Sequence, residues 1–137
     1  MDESKYLKKM EKIVENFGEI QRNFVLDKTG IKAIIKFVED LEGRRPFFDL
    51  DDPVVQKGKK ASEKVIEQLT QELNSLEKIK APEKWKDFHS RLIHSLETQL
   101  QGYREMTLVF EDSDLIHIEE GQLIVNNGMK MLEGGKK

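Results

Sequence analysis

Apolar residues recur at intervals of three and four positions along most of the chain, and this spacing most strongly limits the possible folds. Near the N-terminus the recurring positions are Tyr6, Met10, Ile13, Phe17, Ile20 and Phe24. After Pro53 they are Val55, Val65, Ile66, Leu69, Leu73, Leu76 and Ile79, and after Pro82 they are Trp85, Leu92, Leu96, Leu100, Tyr103, Met106 and Phe110. Such a period places the side chains on one side of an α-helix. The sequence therefore predicts an all-α fold, an antiparallel up-down-up-down four-helix bundle with a core built from these positions.

The first helix raises a question of length. Counting in sevens extends its apolar lines through Ile31, Val38, Ile34 and Leu41. A continuous helix over about 40 residues would be about 60 Å long, and the other helices are too short to cover it. Asp27 interrupts one line and Gly30 is a weak helix former, so we expect a long first helix that is kinked or broken near residues 27–30.

The fourth segment allows two interpretations. In "LIHIEEGQLIV", residues 115–125, β-branched residues are dense around Gly121, which is typical of a hairpin of two short strands. As a helix extended to about residue 133, it has a core side made of Leu115, Ile118, Val125, Met129 and Leu132. The helical spacing extends over more residues than the hairpin pattern, and a helix here completes the four-helix bundle. A helix over roughly 114–133 is therefore the prediction and the hairpin is the alternative. The preceding "EDSD" supplies its capping residues.

Length and charge limit the classes of protein and partner. With 137 residues and a net charge of −3, the chain is long enough for one helical domain, residues 1–137, and lacks the basic surplus of nucleic-acid-binding proteins. It contains no cysteine. No apolar run reaches the roughly 18 residues of a transmembrane segment. We expect a cytoplasmic protein if the chain is complete, or an extracytoplasmic lipoprotein domain if a signal segment has been removed.

Two histidines lie close together in the sequence, but they do not form a chelating pair. His89 and His94 are five residues apart, which separates their side chains by about 140° around a helix. His89 falls on the inner line of the third helix with Tyr103, and His94 falls on its outer face. We expect His89 to be a buried histidine that donates a hydrogen bond to a carbonyl or carboxylate, with Gln99 as a candidate buried polar neighbour.

The sequence gives little support to catalysis. A di-metal bundle requires two Glu-x-x-His motifs on separate helices. The nearest pattern is Asp114-x-x-His117, and Asp114 is better explained as a helix cap. Neither a phosphate-binding glycine loop nor a nucleophile elbow occurs. We therefore predict a non-enzymatic protein with no catalytic, metal-binding or cofactor-binding residues, and no cofactor.

Two apolar features exceed what a simple bundle needs. The first lies about half a turn from the core side of the fourth helix and consists of Ile116, Leu123, Ile124 and Met131. A second apolar face indicates either that this helix is wedged between others or that it contacts a partner or a second copy. The second feature is the connector residues Arg44, Arg45, Phe47 and Phe48. Its aromatic rings either plug the end of the bundle or form part of a binding surface.

Part of the chain, about residues 65–133, resembles a helical pattern common in uncharacterised proteins of Gram-positive bacteria. The segments that carry the resemblance are "LEKIKAPEKWKDFHSRLIHSLETQL" and "EDSDLIHIEEGQLIV". The shared elements are a leucine-rich helix, a proline that opens the next helix (Pro82), a histidine seven residues later (His89) and an acidic turn. The resemblance implies a histidine packed inside a helical hairpin and no established activity. Many such proteins are lipoprotein-like, whereas this chain shows no lipobox cysteine and no signal sequence.

These observations together predict a helical-bundle module that works by contact with an unidentified protein or with itself, homodimerisation being one route. The alternative is a small-molecule or metal-binding bundle centred on His89, Gln99 and Tyr103.

Overall fold

The computed structural model describes residues 2–22, 53–112, 114 and 116–133, and this part of the chain contains helices and no strands. The main helices are α1 (Glu3–Arg22), α2 (Pro53–Glu77), α3 (Lys86–Thr107) and α4 (Ile116–Glu133). A 3-10 turn (Glu83–Trp85) precedes α3, and a single helical turn (Val109–Asp112) lies between α3 and α4. The predicted all-α bundle is confirmed. The predicted kink near residues 27–30 lies outside the described residues.

The core is built from the apolar positions that the helical spacing predicts. Its buried members are Tyr6, Met10, Ile13 and Phe17 of α1, Val65, Leu69, Leu73 and Leu76 of α2, Leu92, Leu96, Leu100, Tyr103 and Met106 of α3, Val109 and Phe110 of the single turn, and Ile118 and Val125 of α4. Ile20, Ile66, Ile79, Trp85 and Leu132 pack against them at the edge of the core. Burial of these side chains is the main source of the bundle's stability.

Proline and aspartate mark the helix starts, as predicted. Pro53 is the first residue of α2. Pro82 opens the 3-10 turn, in which the backbone N–H of Trp85 donates to the Pro82 carbonyl at 2.8 Å, and α3 follows directly. Ahead of α4, the Asp114 carboxylate accepts the backbone N–H of Ile116 at 3.0 Å. An acidic side chain at this place satisfies a free N–H and interacts favourably with the helix dipole.

The fourth segment is a helix, and the hairpin alternative is wrong. Gly121, which suggested a turn, lies inside α4 because its backbone packs directly on α3. A Cβ atom at Gly121 would lie 2.5 Å from the Gly102 carbonyl oxygen, and one at Gly102 would lie 2.5 Å from Val125 Cγ2. Gly128 is equally confined, by Gln99 and the Ser95 carbonyl. Gly102, Gly121 and Gly128 form a glycine seam where α3 and α4 run antiparallel in close contact.

Helix α1 contacts α3 through side chains instead. The Tyr6 hydroxyl meets His89 near the start of α3, and Gln21 meets Gln99 and Tyr103 near its end. These contacts show that α1 and α3 run in the same direction. With the glycine seam on the α4 side, these contacts place the polar side chains of α3 between α1 and α4.

Candidate functional site

The outer face of α4, defined as Ile116, Leu123, Ile124 and Met131, is mostly exposed. Leu123 is 59% exposed, Ile116 43% and Met131 40%, whereas Ile124 is half-buried. The wedged arrangement, in which other helices would bury this face, is therefore wrong for the three exposed residues. Large apolar side chains on one side of a surface helix are characteristic of a contact surface.

The position of this face follows from the glycine seam. Gly121 and Gly128 direct α4 towards α3, and this rotates the buried side of the helix away from the one that apolar residues alone suggest. Met129, predicted to belong to the core, is consequently 44% exposed. The prediction of Met129 as a core residue was wrong because it used the spacing of apolar side chains alone. Glycines, which carry no side chain, did not enter it.

Charges are distributed unevenly along the outer face. Glu119 and Glu120 are exposed in the first half of α4, and Lys130 is exposed in its last turn. Asn127 is exposed between Leu123 and Met131. The helix thus has an acidic start and a basic end beside its apolar residues, which suits contact with a helix of opposite direction.

His89 lies in the core, as predicted, and is 7% exposed. Its Nε2 is 3.1 Å from the Leu76 carbonyl oxygen, and its Nδ1 is 2.9 Å from the Tyr6 hydroxyl. Because a carbonyl only accepts, Nε2–H is the donor to Leu76, which leaves Nδ1 to accept the Tyr6 O–H. The prediction that this histidine donates to a carbonyl is confirmed.

The surroundings of His89 keep both ring nitrogens occupied. Burial raises the pKa of Tyr6, so its hydroxyl remains a donor. The Tyr6 ring packs against the rings of His89 and Trp85, with centroid separations of 5.6 Å and 6.4 Å. An open depression of about 650 Å³ borders His89 and is also lined by Lys80 and Lys86. A ligand there would have to displace a protein partner to bind an imidazole nitrogen.

Gln99 and Tyr103 are buried as predicted, but they form a separate network from His89. The Gln21 side-chain amide Nε2 donates to Gln99 Oε1 at 2.6 Å and to the Tyr103 hydroxyl at 3.1 Å. Gln99 donates to Ser95 Oγ at 3.1 Å, and Ser95 Oγ donates to the Gly128 carbonyl at 2.6 Å. Ten residues separate His89 from Gln99, or about 15 Å along the helix. The alternative hypothesis placed all three side chains in one site, and the structure corrects it: they belong to two separate hydrogen-bonded groups.

His94 lies on the outer face of α3, as predicted, and its nearest acidic neighbour is Glu97 at 4.0 Å. The third histidine has closer partners. His117 Nε2 lies 2.7 Å from Asp112 Oδ2, and its Nδ1 lies 3.4 Å from Glu105 Oε1. The hydrogen bond with Asp112, aided by Glu105 and opposed by burial, raises the pKa of His117. The same bond, with the backbone N–H of Asp114, lowers the pKa of Asp112.

The grouping around His117 was not predicted from the sequence. The local signal was His117-x-x-Glu120, two potential ligands at a spacing that puts them on one side of a helix. Glu105 adds to them only because α3 and α4 are antiparallel and in register at this point. The metal-like pattern noted in the sequence was Asp114-x-x-His117, but Asp114 caps the start of α4.

Arg44, Arg45, Phe47 and Phe48 lie outside the described residues, so their role as plug or contact stays a prediction. None of the described helices combines the length and apolar character needed to cross a bilayer. No protein-family model, curated protein or solved structure matches the chain significantly. The resemblance to helical proteins of Gram-positive bacteria therefore also stays a prediction.

Proposed function

We propose that this chain is a non-enzymatic contact module that self-associates through the outer face of α4. The observation that carries the proposal is the exposure of Leu123, a large apolar side chain that lies between Ile116 and Met131 on the same side of the helix. Spacings of seven and eight residues keep the three side chains within about 80° of one another around the helix. Their removal from water is the driving force for association.

A second copy of the chain is the occupant that best suits this face. In an antiparallel pair of α4 helices centred near Leu123, Ile116 of one copy would face Met131 of the other. Lys130 of each copy would then approach the acidic first half of its partner, near Glu119 and Glu120. Antiparallel helix dipoles add to this complementarity. A surface that is complementary to itself is what a two-fold symmetric dimer requires.

The expected dimer is weak. Helix α4 has 18 residues, which corresponds to a length of about 27 Å. One helix pair buries less than the roughly 800 Å² per partner that is typical of a stable complex. We therefore expect association in the micromolar range or weaker, so that mass depends on concentration.

Sedimentation velocity over a wide concentration range tests this proposal. The wild-type protein should shift from monomer to dimer as concentration rises, and Leu123→Glu should abolish the shift because it introduces a charge into the contact. Val14→Glu is the matched control, since Val14 is an exposed apolar residue on α1, with 43% of its surface accessible. A monomer at every concentration would contradict self-association and favour a different protein as the partner.

The alternative, a ligand-binding bundle centred on His89, has weaker support. The depression over His89 offers space and two lysines, but both imidazole nitrogens already have protein partners. A thermal-shift screen against small anions and metal ions would detect such a ligand, because binding to the folded state raises its stability.

A further inference from the structure

Three potential metal ligands converge where the end of α3 meets the start of α4. They are Glu105 of α3 and His117 and Glu120 of α4, and one ligand atom from each lies within 4.8 Å of the other two. The side chains of Glu105 and His117 are only 24% and 17% exposed. The three groups come from two helices whose relative position the glycine seam fixes, so the cluster does not depend on a long surface side chain alone.

The distances suit a small divalent ion. First-row metals bind histidine nitrogen and carboxylate oxygen at about 2.0–2.2 Å, which places tetrahedral ligand atoms about 3.4 Å apart. His117 Nδ1 and Glu105 Oε1 are 3.4 Å apart. Glu120 needs a movement of its exposed side chain of only an ångström or two to complete the set. A second carboxylate oxygen at this range can be brought to the ion by a rotamer change.

Asp112 orients the histidine in the manner of a metal site. Its Oδ2 accepts Nε2–H of His117 at 2.7 Å, and its Oδ1 accepts the backbone N–H of Asp114 at 2.9 Å. The carboxylate is thus held at both oxygens, and it turns the other ring nitrogen, Nδ1, towards Glu105. Metal-binding histidines nearly always donate their second N–H to such a carboxylate or carbonyl, which fixes the tautomer that binds the ion.

The charges around the cluster favour a cation. Glu105 and Glu120 repel each other at this separation, and no lysine or arginine among the described residues forms an ion pair with either one. The neighbouring Arg104 is directed elsewhere, since it donates to Thr70 of α2 at 3.3 Å. A positive charge between the two carboxylates would stabilise this end of the bundle.

We infer that Glu105, His117 and Glu120 bind a divalent first-row transition-metal ion such as Zn²⁺, with Asp112 as the positioning residue of His117. One nitrogen and two oxygen ligands leave at least one coordination position for water or for a ligand from another molecule. The ion links α3 to α4 across the single helical turn. Metal binding does not require self-association, because all three ligands belong to one chain, but Glu120 also lies near Lys130 of the second copy in the proposed dimer.

Isothermal titration of metal-free protein with Zn²⁺ tests the site. We expect one ion per chain and a higher melting temperature with Zn²⁺ present. His117→Gln and Glu105→Gln should each weaken binding at least tenfold, and Asp112→Asn should weaken it about 10–100-fold. Circular dichroism of each variant checks that it is folded, and the ¹⁵N resonance of His117 Nδ1 should move on addition of Zn²⁺ while Nε2 keeps its proton.

His94→Gln is the matched control for the Zn²⁺ titration. His94 also has a glutamate three residues later, Glu97, but its ring and that carboxylate are 4.0 Å apart and exposed. The His94→Gln substitution should leave the Zn²⁺ affinity unchanged. Absence of binding at millimolar Zn²⁺, equal binding by His117→Gln, or equal loss in His94→Gln would overturn the inference.

Discussion

The bundle is held together in two different ways on the two sides of α3. Against α1, side chains make the contact: the Tyr6 ring packs on the His89 ring, and Tyr6 is fully buried. Against α4, side chains are missing, and the backbones meet at Gly102 and Gly121. The first contact depends on the size of its residues and the second on their smallness. Sequence periodicity detects the first kind of contact and overlooks the second.

The largest expected effect comes from truncating a large core side chain of α1. Phe17→Ala should lower the free energy of unfolding by about 3–5 kcal/mol, because the lost burial is accompanied by a cavity. Urea denaturation measures the change. Val14→Ala, at an exposed position of the same helix, should cost less than about 0.5 kcal/mol. Equal costs for the two variants would show that α1 is not anchored by Phe17.

The glycine seam should respond to the opposite change. Gly121→Ala places a methyl group against the Gly102 carbonyl, and such overpacking costs about 1–3 kcal/mol, partly offset by the better helix propensity of alanine. Gly18→Ala is the control, since a Cβ atom there meets nothing within 4 Å. It should stabilise the protein by about 0.5–1 kcal/mol. Chemical denaturation measures the change in the free energy of unfolding. A change of the same sign in both variants would contradict a close α3–α4 contact.

Two buried serines extend the contrast to hydrogen bonding. Ser95 donates to the Gly128 carbonyl and accepts from Gln99, so Ser95→Ala should destabilise the protein by about 1 kcal/mol. Ser62 is fully buried in α2, and its hydroxyl has no hydrogen-bond partner. Ser62→Ala should therefore stabilise by up to about 1 kcal/mol, since it removes an unsatisfied polar group and improves helix propensity. Thermal melts should show a lower melting temperature for Ser95→Ala and a higher one for Ser62→Ala.

The smallest effect is the pH dependence of the His117–Asp112 pair. Folding raises the pKa of His117, so its stabilisation is complete below the ordinary histidine pKa and is lost as pH rises through the raised value. Folding lowers the pKa of Asp112, so its stabilisation is present above the ordinary aspartate pKa and is lost on acidification. With EDTA present, His117→Gln should lower the melting temperature most between about pH 4 and pH 6.5, by about 1–3 °C.

The control for this pH dependence is His94→Gln, whose melting temperature should follow the wild type across the same range. A loss in His117→Gln that is the same at every pH would show that the imidazole contributes by packing and not by charge.

The sequence was sufficient for features that depend on local spacing. Helix positions, the core side of α1 to α3 and the burial of His89 follow from intervals of three, four and seven residues. The capping role of Asp114 follows from its place before α4. These features are set within one helix, where geometry is the same in every protein.

Features that depend on which helix turns face each other were out of reach. The exposure of Met129 follows from how closely α4 packs on α3 at the glycine seam. The approach of Glu105 to His117 depends on the register of the α3–α4 contact. That register is set by glycines, which hydrophobic patterning does not count.

The most direct test of the central claim, that the outer face of α4 contacts a second copy, is a concentration series of ¹H–¹⁵N correlation spectra of the unmodified protein. Self-association through this face predicts that amide shifts change with concentration around Ile116, Leu123, Asn127 and Met131, while those of α1 stay constant. Spectra that are identical from dilute to millimolar protein, or changes confined to another surface, would contradict it.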